Sequence, residues 1–382
     1  MRIDKYAAMK QVSNPFITAG YVSAEYFCDR ETESTDLINQ ITNGNNLALI
    51  SPRRMGKTGL IMHCFPNNKI RSSYYTFFVD IYATKSLRDF ILSLSKVILE
   101  QLKPFGRRAI EIFVNCVRTL QAGISFDVVG NPSFNVQLGD LHDTQATLAE
   151  IFNYLDAADK PCIVAIDEFQ QIASYPEKNL EALLRTHIQH CNNARFIFAG
   201  SQRHIMGNMF LSPSRPFYQS VSMLYLEPIS PEKYVEFAVS HFKKAGKTVS
   251  EEIIAEVYNR FDGTTWYIQK MLNTLFMMTE QGGVCTRDMI DAALESIIAS
   301  YRYNYEETIF RLPEKQKELL ITIAKEGKAK AITGSRYVKK YRLTSASSVQ
   351  AALKGLLEKD FITTEQGTYS VYDKFFALWL IR

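Results

Sequence analysis

The stretch that most limits the fold is "LALISPRRMGKTGLIMHCF", residues 47–65, where a short apolar run is broken by Pro52, Arg53, Arg54, Gly56 and Lys57 before apolar residues resume. Such a break is wrong for a core, yet it suits a loop curled around phosphate between a strand and a helix. In a G-x-x-x-x-G-K-[ST] loop, consecutive backbone N–H groups and the helix N-terminus form an anion cradle. The Lys neutralises the outer phosphates and the hydroxyl ligates Mg2+. "SPRRMGKT" supplies Gly56, Lys57 and Thr58, with Pro52, Arg53, Arg54 and Met55 as the intervening loop, and puts Ser51 where the first Gly is expected. Ser can hold that place if its φ is negative. A basic surface turn is the alternative, and the strand before and helix after weigh against it.

A second part lies further along. "CIVAIDEF" is an apolar strand ending in two acids: Asp167 is placed to hold Mg2+, commonly through water, and Glu168 to polarise an attacking water. An acidic helix cap is the bland reading of that pair. Two parts in the right order and strand context are a strong signal for ATP with Mg2+, whereas either alone is weak.

The intervening chain supports the same layout. "NLALIS", "YYTFFVDIY" (74–82), "CIVAID" and "ARFIFAGS" read as four buried strands, alternating with helical patterns over 58–65, 86–122, 143–157 and 178–191. That alternation predicts an α/β parallel sheet covered on both faces. Ligands of such sheets sit at the carboxyl ends of the strands. There the polar residues gather: Ser51 to Thr58, Asp167-Glu168, and Ser201, Gln202 and Arg203. Whether Ser201 senses a ligand or simply ends a strand stays open. "ISFDVVGNPSFNVQL" changes period: Phe134, Val136 and Leu138 alternate with polar residues after Gly130-Asn131-Pro132, predicting a β-hairpin over 124–138. His187, His190 and Cys191 cluster on a helix, but adjacent His190 and Cys191 diverge, so plain helix surface and core is favoured over a metal site.

Composition excludes several classes. At 382 residues with 46% hydrophobic and 22% charged, the chain suits two or three globular domains. No apolar run approaches the roughly 20 residues that span a bilayer, and "MRIDKYAAMKQVSNPF" lacks the apolar region of a signal peptide. The expectation is a cytoplasmic protein without membrane contact. The six cysteines lack CxxC spacing, which argues against a disulfide framework or zinc cluster.

Beyond the α/β part, "SPEKYVEFAVSHFKKAG" starts with Ser230 as N-cap and Pro231 at the first helical position and is closed by Gly246, and three more helical patterns follow. The segment from 229 to 312 is read as an all-helical lid. From 313, a helix, a short helix, a third helix capped by Ser345 and a hairpin turning at Gln366-Gly367 give the order of a winged helix. Glu314 to Arg382 carries 13 Lys/Arg against 7 Asp/Glu, so the basic character lies at this end. Ser347, Gln350 and Lys354 on the third helix, with Arg336, Lys339, Lys340 and Arg342, form a surface suited to duplex DNA phosphates and groove edges. Docking of a protein partner is the alternative.

These residues carry a family resemblance. "YFCDRETE" (26–33), "SPRRMGKT", "CIVAIDEFQQI", "FIFAGSQRHIM", "RPFYQS", "FDGTTWYIQKML" and the terminal "FFALWLIR" make the chain resemble the AAA+-related archaeal and bacterial ATPases grouped with the STAND NTPases, relatives of origin-recognition ATPases. The resemblance implies an ATPase core over 1–228, a helical lid and a C-terminal winged helix. It implies that the motif holding Asp29 and Arg30 lies near adenine, that Lys57 and Thr58 bind phosphate and Mg2+, and that Asp167 and Glu168 are the acidic pair. Ser201 or Gln202 would be the first sensor, and Arg203 or Arg215 would approach the γ-phosphate, without the sequence choosing between them. Against the family's "GGxPxY" lid signature this chain reads "DGTTWY", with Asp262 and Thr265 at the replaced positions.

Two functions fit. One is an ATP-hydrolysing conformational switch, binding ATP and releasing ADP, with assembly into oligomers open to it. The other is a DNA-binding or protein-docking regulator whose nucleotide site senses ATP with little turnover. Glu168 favours the first, since a pure binder has no need of an acid beside the Mg2+ ligand.

Overall fold

Each buried strand of the central sheet feeds two cores, which is why these segments read as unbroken apolar runs rather than alternating ones. The structure, a computed structural model, describes residues 12–102, 105, 107–117, 124–126, 132–134, 143–201 and 203–382. Packing divides the chain into two compact units, one built on Ile17–Lys233 with Thr264–Trp266, the other on Ser13–Phe16, Tyr234–Gly263 and Tyr267–Arg382.

The first unit runs α1 (Glu31–Thr42), β1 (Leu47–Ile50), α2 (Lys57–Cys64), α3 (Asn68–Arg71), β2 (Tyr75–Asp80), α4 (Leu87–Leu102), α5 (Arg107–Cys116), β3 (Ile124–Phe126), β4 (Pro132–Phe134), α6 (Thr144–Ala157), β5 (Cys162–Asp167), α7 (Leu180–His190), β6 (Ala194–Gly200), α8 (Arg203–Leu211) and β7 (Ser222–Tyr225). Five of the strands form a parallel sheet in the order β2-β5-β6-β1-β7. On one face Ala48, Ile50, Val164, Ile166, Phe196 and Phe198 pack with residues of α4 and α6. On the other, Leu47, Leu49, Ile163, Ala165, Ile197 and Ala199 pack with Leu37 and Ile41 of α1 and Leu60 and Ile61 of α2.

The sheet has one strand more than the sequence pattern predicts. β7 pairs with β1 from Leu47↔Ser222 to Ile50↔Tyr225, and its four residues are half-buried or exposed, so they lack the apolar signature of the inner strands. The insertion is an antiparallel pair, Ile124 opposite Phe134 and Phe126 opposite Pro132. Pro132 therefore belongs to a strand rather than to the turn. Gly130, Asn131, Val136 and Leu138 of the expected hairpin lie outside the described residues. Of the helical pattern read over 86–122, α4 and α5 are described, α5 ending at Cys116, and 118–122 lie outside the described residues.

The second unit holds α9 (Pro231–Lys244) and α11 (Thr265–Met278) apart from their first turns, which belong to the first unit, with α10 (Glu251–Arg260) and α12 (Asp288–Arg311), then α13 (Glu314–Glu326), β8 (Ala329–Lys330), α14 (Ser335–Lys340), α15 (Ala346–Glu358), β9 (Ile362–Glu365), β10 (Thr368–Val371) and α16 (Lys374–Leu380). Ser230 caps α9, its Oγ accepting from the Lys233 N–H at 3.3 Å, and Gly246 takes φ +67 just past its end. Gln366 and Gly367 have φ of 48° and 74°, the two-residue hairpin turn expected between β9 and β10. A two-residue strand, β8, adds to β10 and escaped the sequence reading because of its length.

The terminal helix α16 is bolted to the helices that precede the winged helix. Phe375 packs edge-on against Phe261 and Tyr267, while Phe376 and Trp379 meet Tyr305. The Lys374 ammonium donates to the Phe261 carbonyl at 2.7 Å and to Asp262 at 2.9 Å, and Lys328 reaches the other Asp262 oxygen at 3.0 Å. Burial pushes the Asp262 carboxyl up, but the two ammonium groups outweigh it and hold it below its ordinary value. Lys374 is itself pulled below its ordinary value, because burial of its ammonium outweighs the pairing with Asp262. This use of Asp262 explains the departure at the lid signature: a Gly there has no side chain to hold Lys374.

Candidate active site

β1 ends at Ile50 and the chain turns at once into the loop 51–56. Ser51 is buried, its N–H donating to the Gly200 carbonyl at 3.4 Å and its Oγ to the Pro52 carbonyl at 2.9 Å. It is not among the positive-φ residues, so Ser serves where a first Gly was expected. The left-handed conformations fall instead on Arg54 (φ 69) and Gly56 (φ 97). An Arg in that region costs about 1 kcal/mol, and packing offsets it: the Arg54 guanidinium lies 4.3 Å from the Trp266 ring centroid and the Arg54 carbonyl accepts from the Trp266 N–H at 3.0 Å. The Met55 carbonyl accepts from Arg30 and from Thr265 Oγ1, each at 3.4 Å. Gly56 is the N-cap of α2, so the first N–H groups of that helix, which have no intrahelical acceptors, directly follow the loop.

Lys57, 6% exposed, folds its ammonium back to the Ser51 carbonyl (3.3 Å), Ser51 Oγ (3.4 Å) and the Pro52 carbonyl (3.3 Å). Thr58 Oγ1 donates to Asp167 Oδ2 at 2.6 Å, joining the first turn of α2 to the end of β5. Burial pushes the Asp167 carboxyl above its ordinary value, partly opposed by the Thr58 hydrogen bond and the Lys57 charge. Next to it Glu168 takes a left-handed conformation (φ 56), and its N–H donates to Asp167 Oδ1 at 3.0 Å. The turn is anchored by Phe169, fully buried among Phe198, Phe210 and Phe217. Glu168 Oε2 accepts from Ser201 Oγ at 2.8 Å and from Gln170 Nε2, and Arg53 Nε donates to Ser201 Oγ at 3.3 Å.

Of the residues singled out in the sequence, Ser51, Pro52, Arg53, Lys57, Thr58, Asp167, Glu168 and Ser201 are thus joined in one network, with Arg54, Met55 and Gly56 completing the loop. Asp29 and Arg30 both have positive φ and form the sharp turn into α1 (φ 54 and 68). Arg30, 3% exposed, pairs with Glu33 and braces the loop through Met55. Arg215 is engaged elsewhere, by Glu181 of α7. Arg203 is the first residue of α8, and Gln202 lies outside the described residues. His187 stacks on Phe152 and Cys191 is buried, ordinary packing roles. Sequence reasoning missed the bracing by Thr265 and Trp266, more than 200 residues from the loop, and Gln170, which was quoted in "DEFQQI" without a role.

In the winged helix, Val349, Leu353 and Leu356 of α15 are buried while Ser347, Gln350 and Lys354 are exposed, as their spacing predicts. Arg336, Lys339, Lys340 and Arg342 are exposed too, with Lys340 paired to Glu326 and Lys354 3.8 Å from Glu358.

A phosphate-cradling loop after β1, with acids ending β5, two places away across β6 in the same parallel sheet, defines a P-loop ATPase. A family profile for an "ATPase domain predominantly from Archaea" matches residues 27–271, and the chain belongs to that family. A second profile, "Probable winged helix domain", matches residues 303–382. Among solved structures, a Walker-type ATPase of Pyrococcus abyssi is similar over 96% of this chain and 99% of its own, with 21% identity and a TM-score of 0.65. The ORC2 protein of Aeropyrum pernix, solved with ADPNP and ADP, is similar over 92% of both chains at 14% identity and a TM-score of 0.54. The ORC1 protein of the same organism, solved in complex with DNA, covers 93% of this chain and 92% of its own at 12% identity and a TM-score of 0.52. No match was found among curated proteins. No described helix is long and apolar enough to cross a membrane.

Proposed function

We propose that the chain is a Mg2+-dependent ATPase whose cycle of binding and hydrolysis works as a conformational switch, with a core over 1–228, a helical lid over 229–312 and a winged helix over 313–382. The observation that carries this reading is the 2.6 Å contact between Thr58 Oγ1 and Asp167 Oδ2. A hydroxyl beside a buried carboxylate whose charged form is disfavoured by burial is a hard-oxygen pair that fits Mg2+, which takes one or two protein oxygens and completes its shell from phosphate and water. Thr58 and Asp167 would hold Mg2+, which would supply positive charge against the phosphates. The loop N–H groups and Lys57 would hold the phosphates, Glu168 would take the proton of the attacking water, and Ser201 would orient Glu168. Asp29 and Arg30 would lie at the adenine side. Arg203 or Arg215 would approach the γ-phosphate, and Arg215 would have to leave its pairing with Glu181 to do so.

Asp167→Asn tests the pair. A carboxyl whose pKa is raised in the folded chain costs stability at every pH above that raised value, so removing the charge is expected to raise the melting temperature of the ligand-free protein at neutral pH. The same change is expected to abolish Mg2+-dependent phosphate release. Thermal melts and a phosphate-release assay read the two effects, and wild-type turnover in the variant would reject the metal assignment.

A role on duplex DNA is supported by the exposed basic residues of α14 and α15, and the similar fold solved with DNA makes it the natural partner to test. With Lys339, Lys340 and Arg342 neutralised, a mobility-shift titration should show weaker binding and a log–log salt slope reduced by about 2–3. A shift indifferent to salt and to these residues would leave protein docking as the role of the winged helix.

A further inference from the structure

Gln170 lies two residues beyond Glu168, in the 3-10 turn Phe169–Ser174, and is only 5% exposed. Its Nε2 donates to Glu168 Oε2 and, at 3.3 Å, to Ser201 Oγ. Ser201 Oγ donates in turn to the same Glu168 oxygen at 2.8 Å. Two donors therefore converge on Oε2. The other end of the amide, Oε1, is buried without a hydrogen-bond partner. Turning the amide over would set its oxygen against the carboxylate, so the neighbours fix which end faces Glu168.

A side chain kept there for bulk alone would be apolar, since an orphaned buried carbonyl is costly. The backbone next door accommodates this amide. A Cβ on Gly200 would lie 2.7 Å from Gln170 Oε1 and 2.5 Å from Met206 Sδ, so glycine leaves the space in which the amide sits. The chain thus tolerates an unpaired oxygen in order to aim an N–H at Glu168.

We propose that Gln170 is a positioning residue for ATP hydrolysis, holding Glu168 Oε2 directly and through Ser201 so that Oε1 is the oxygen presented to the attacking water. The inference rests on Glu168 being the base. In the step itself, the water oxygen bonds to the γ-phosphorus, its proton passes to Glu168 Oε1, and the bond from the γ-phosphorus to the bridging oxygen breaks with its electron pair leaving on ADP. A carboxylate free to rotate would meet the water in the right orientation for only part of the time.

Gln170→Met in the full chain removes both donations while keeping the length of the side chain. We expect kcat to fall about tenfold, with KM and equilibrium affinity for ATP unchanged within about twofold. Combined with Glu168→Gln, the substitution should cause no further loss, because both act on one group. If Gln170→Met does not fold, Gln170→Asn, whose shorter arm cannot reach Oε2, carries the same expectation. Unchanged kcat in these variants while Glu168→Gln is inactive would overturn the role of Gln170 and leave Glu168 as the base. Full turnover in Glu168→Gln would overturn both. A parallel loss of ATP affinity and kcat in the Gln170 variants would mark the residue as merely structural and overturn the inference as well.

Discussion

Lys57→Ala is expected to remove measurable ATP binding. The wild-type ammonium is buried, and among its contacts are the Ser51 and Pro52 carbonyls and the Ser51 hydroxyl. Moving it from those neutral acceptors to the outer phosphates replaces weak contacts of 3.3–3.4 Å by charge-assisted ones. Losing such a contact in a buried site costs about 3 kcal/mol or more, at least a hundredfold in affinity. Alanine leaves the backbone cradle in place, so the loss isolates the charge. Titration calorimetry with ATP and Mg2+ checks it, with circular dichroism to show that the fold persists. Affinity within a few-fold of wild type would mean that the loop does not hold triphosphate as described.

Glu168→Gln should give the opposite split: ATP still binds, and turnover drops about 10²–10³-fold. The amide keeps an oxygen that can accept from Ser201 and Gln170, so the left-handed turn at 168 and its anchor Phe169 need not move. Only the capacity to accept a proton disappears. Single-turnover phosphate release, read beside an equilibrium binding measurement, separates the two effects. Unchanged turnover would show that the proton goes elsewhere.

How much of this was legible depends on how local each signal is. β1, β5 and β6 announce themselves because burial on both faces demands apolar residues throughout. The two edge strands differ in burial: β2 buries every second residue of an aromatic-rich run, whereas the residues of β7, "SMLY", are all half-buried or exposed and carry no such signal. Gly56, Lys57 and Thr58 are contiguous, and Asp167-Glu168 end a run of six buried residues, so motif and strand context agreed. Arg54 was opaque, because nothing about an arginine announces a left-handed backbone, and its brace Trp266 comes from a distant part of the chain. The same holds for Arg215, whose partner Glu181 lies on a helix with no motif of its own. At Asp262 the sequence shows only a departure from the lid signature; the pairing of that side chain with Lys374 and Lys328 depends on residues far along the chain.

That last pairing limits how the protein can be taken apart. With Phe375 seated on Phe261 and Tyr267, Phe376 and Trp379 on Tyr305, and Arg382 paired with Glu295, the tail of the winged helix supplies part of the core of the helices before it. The winged helix is therefore no interchangeable cassette. A chimera joined near residue 312 would expose an aromatic surface on both fragments, and an exchange that respects the packing has to carry 234–263 and 267–382 together.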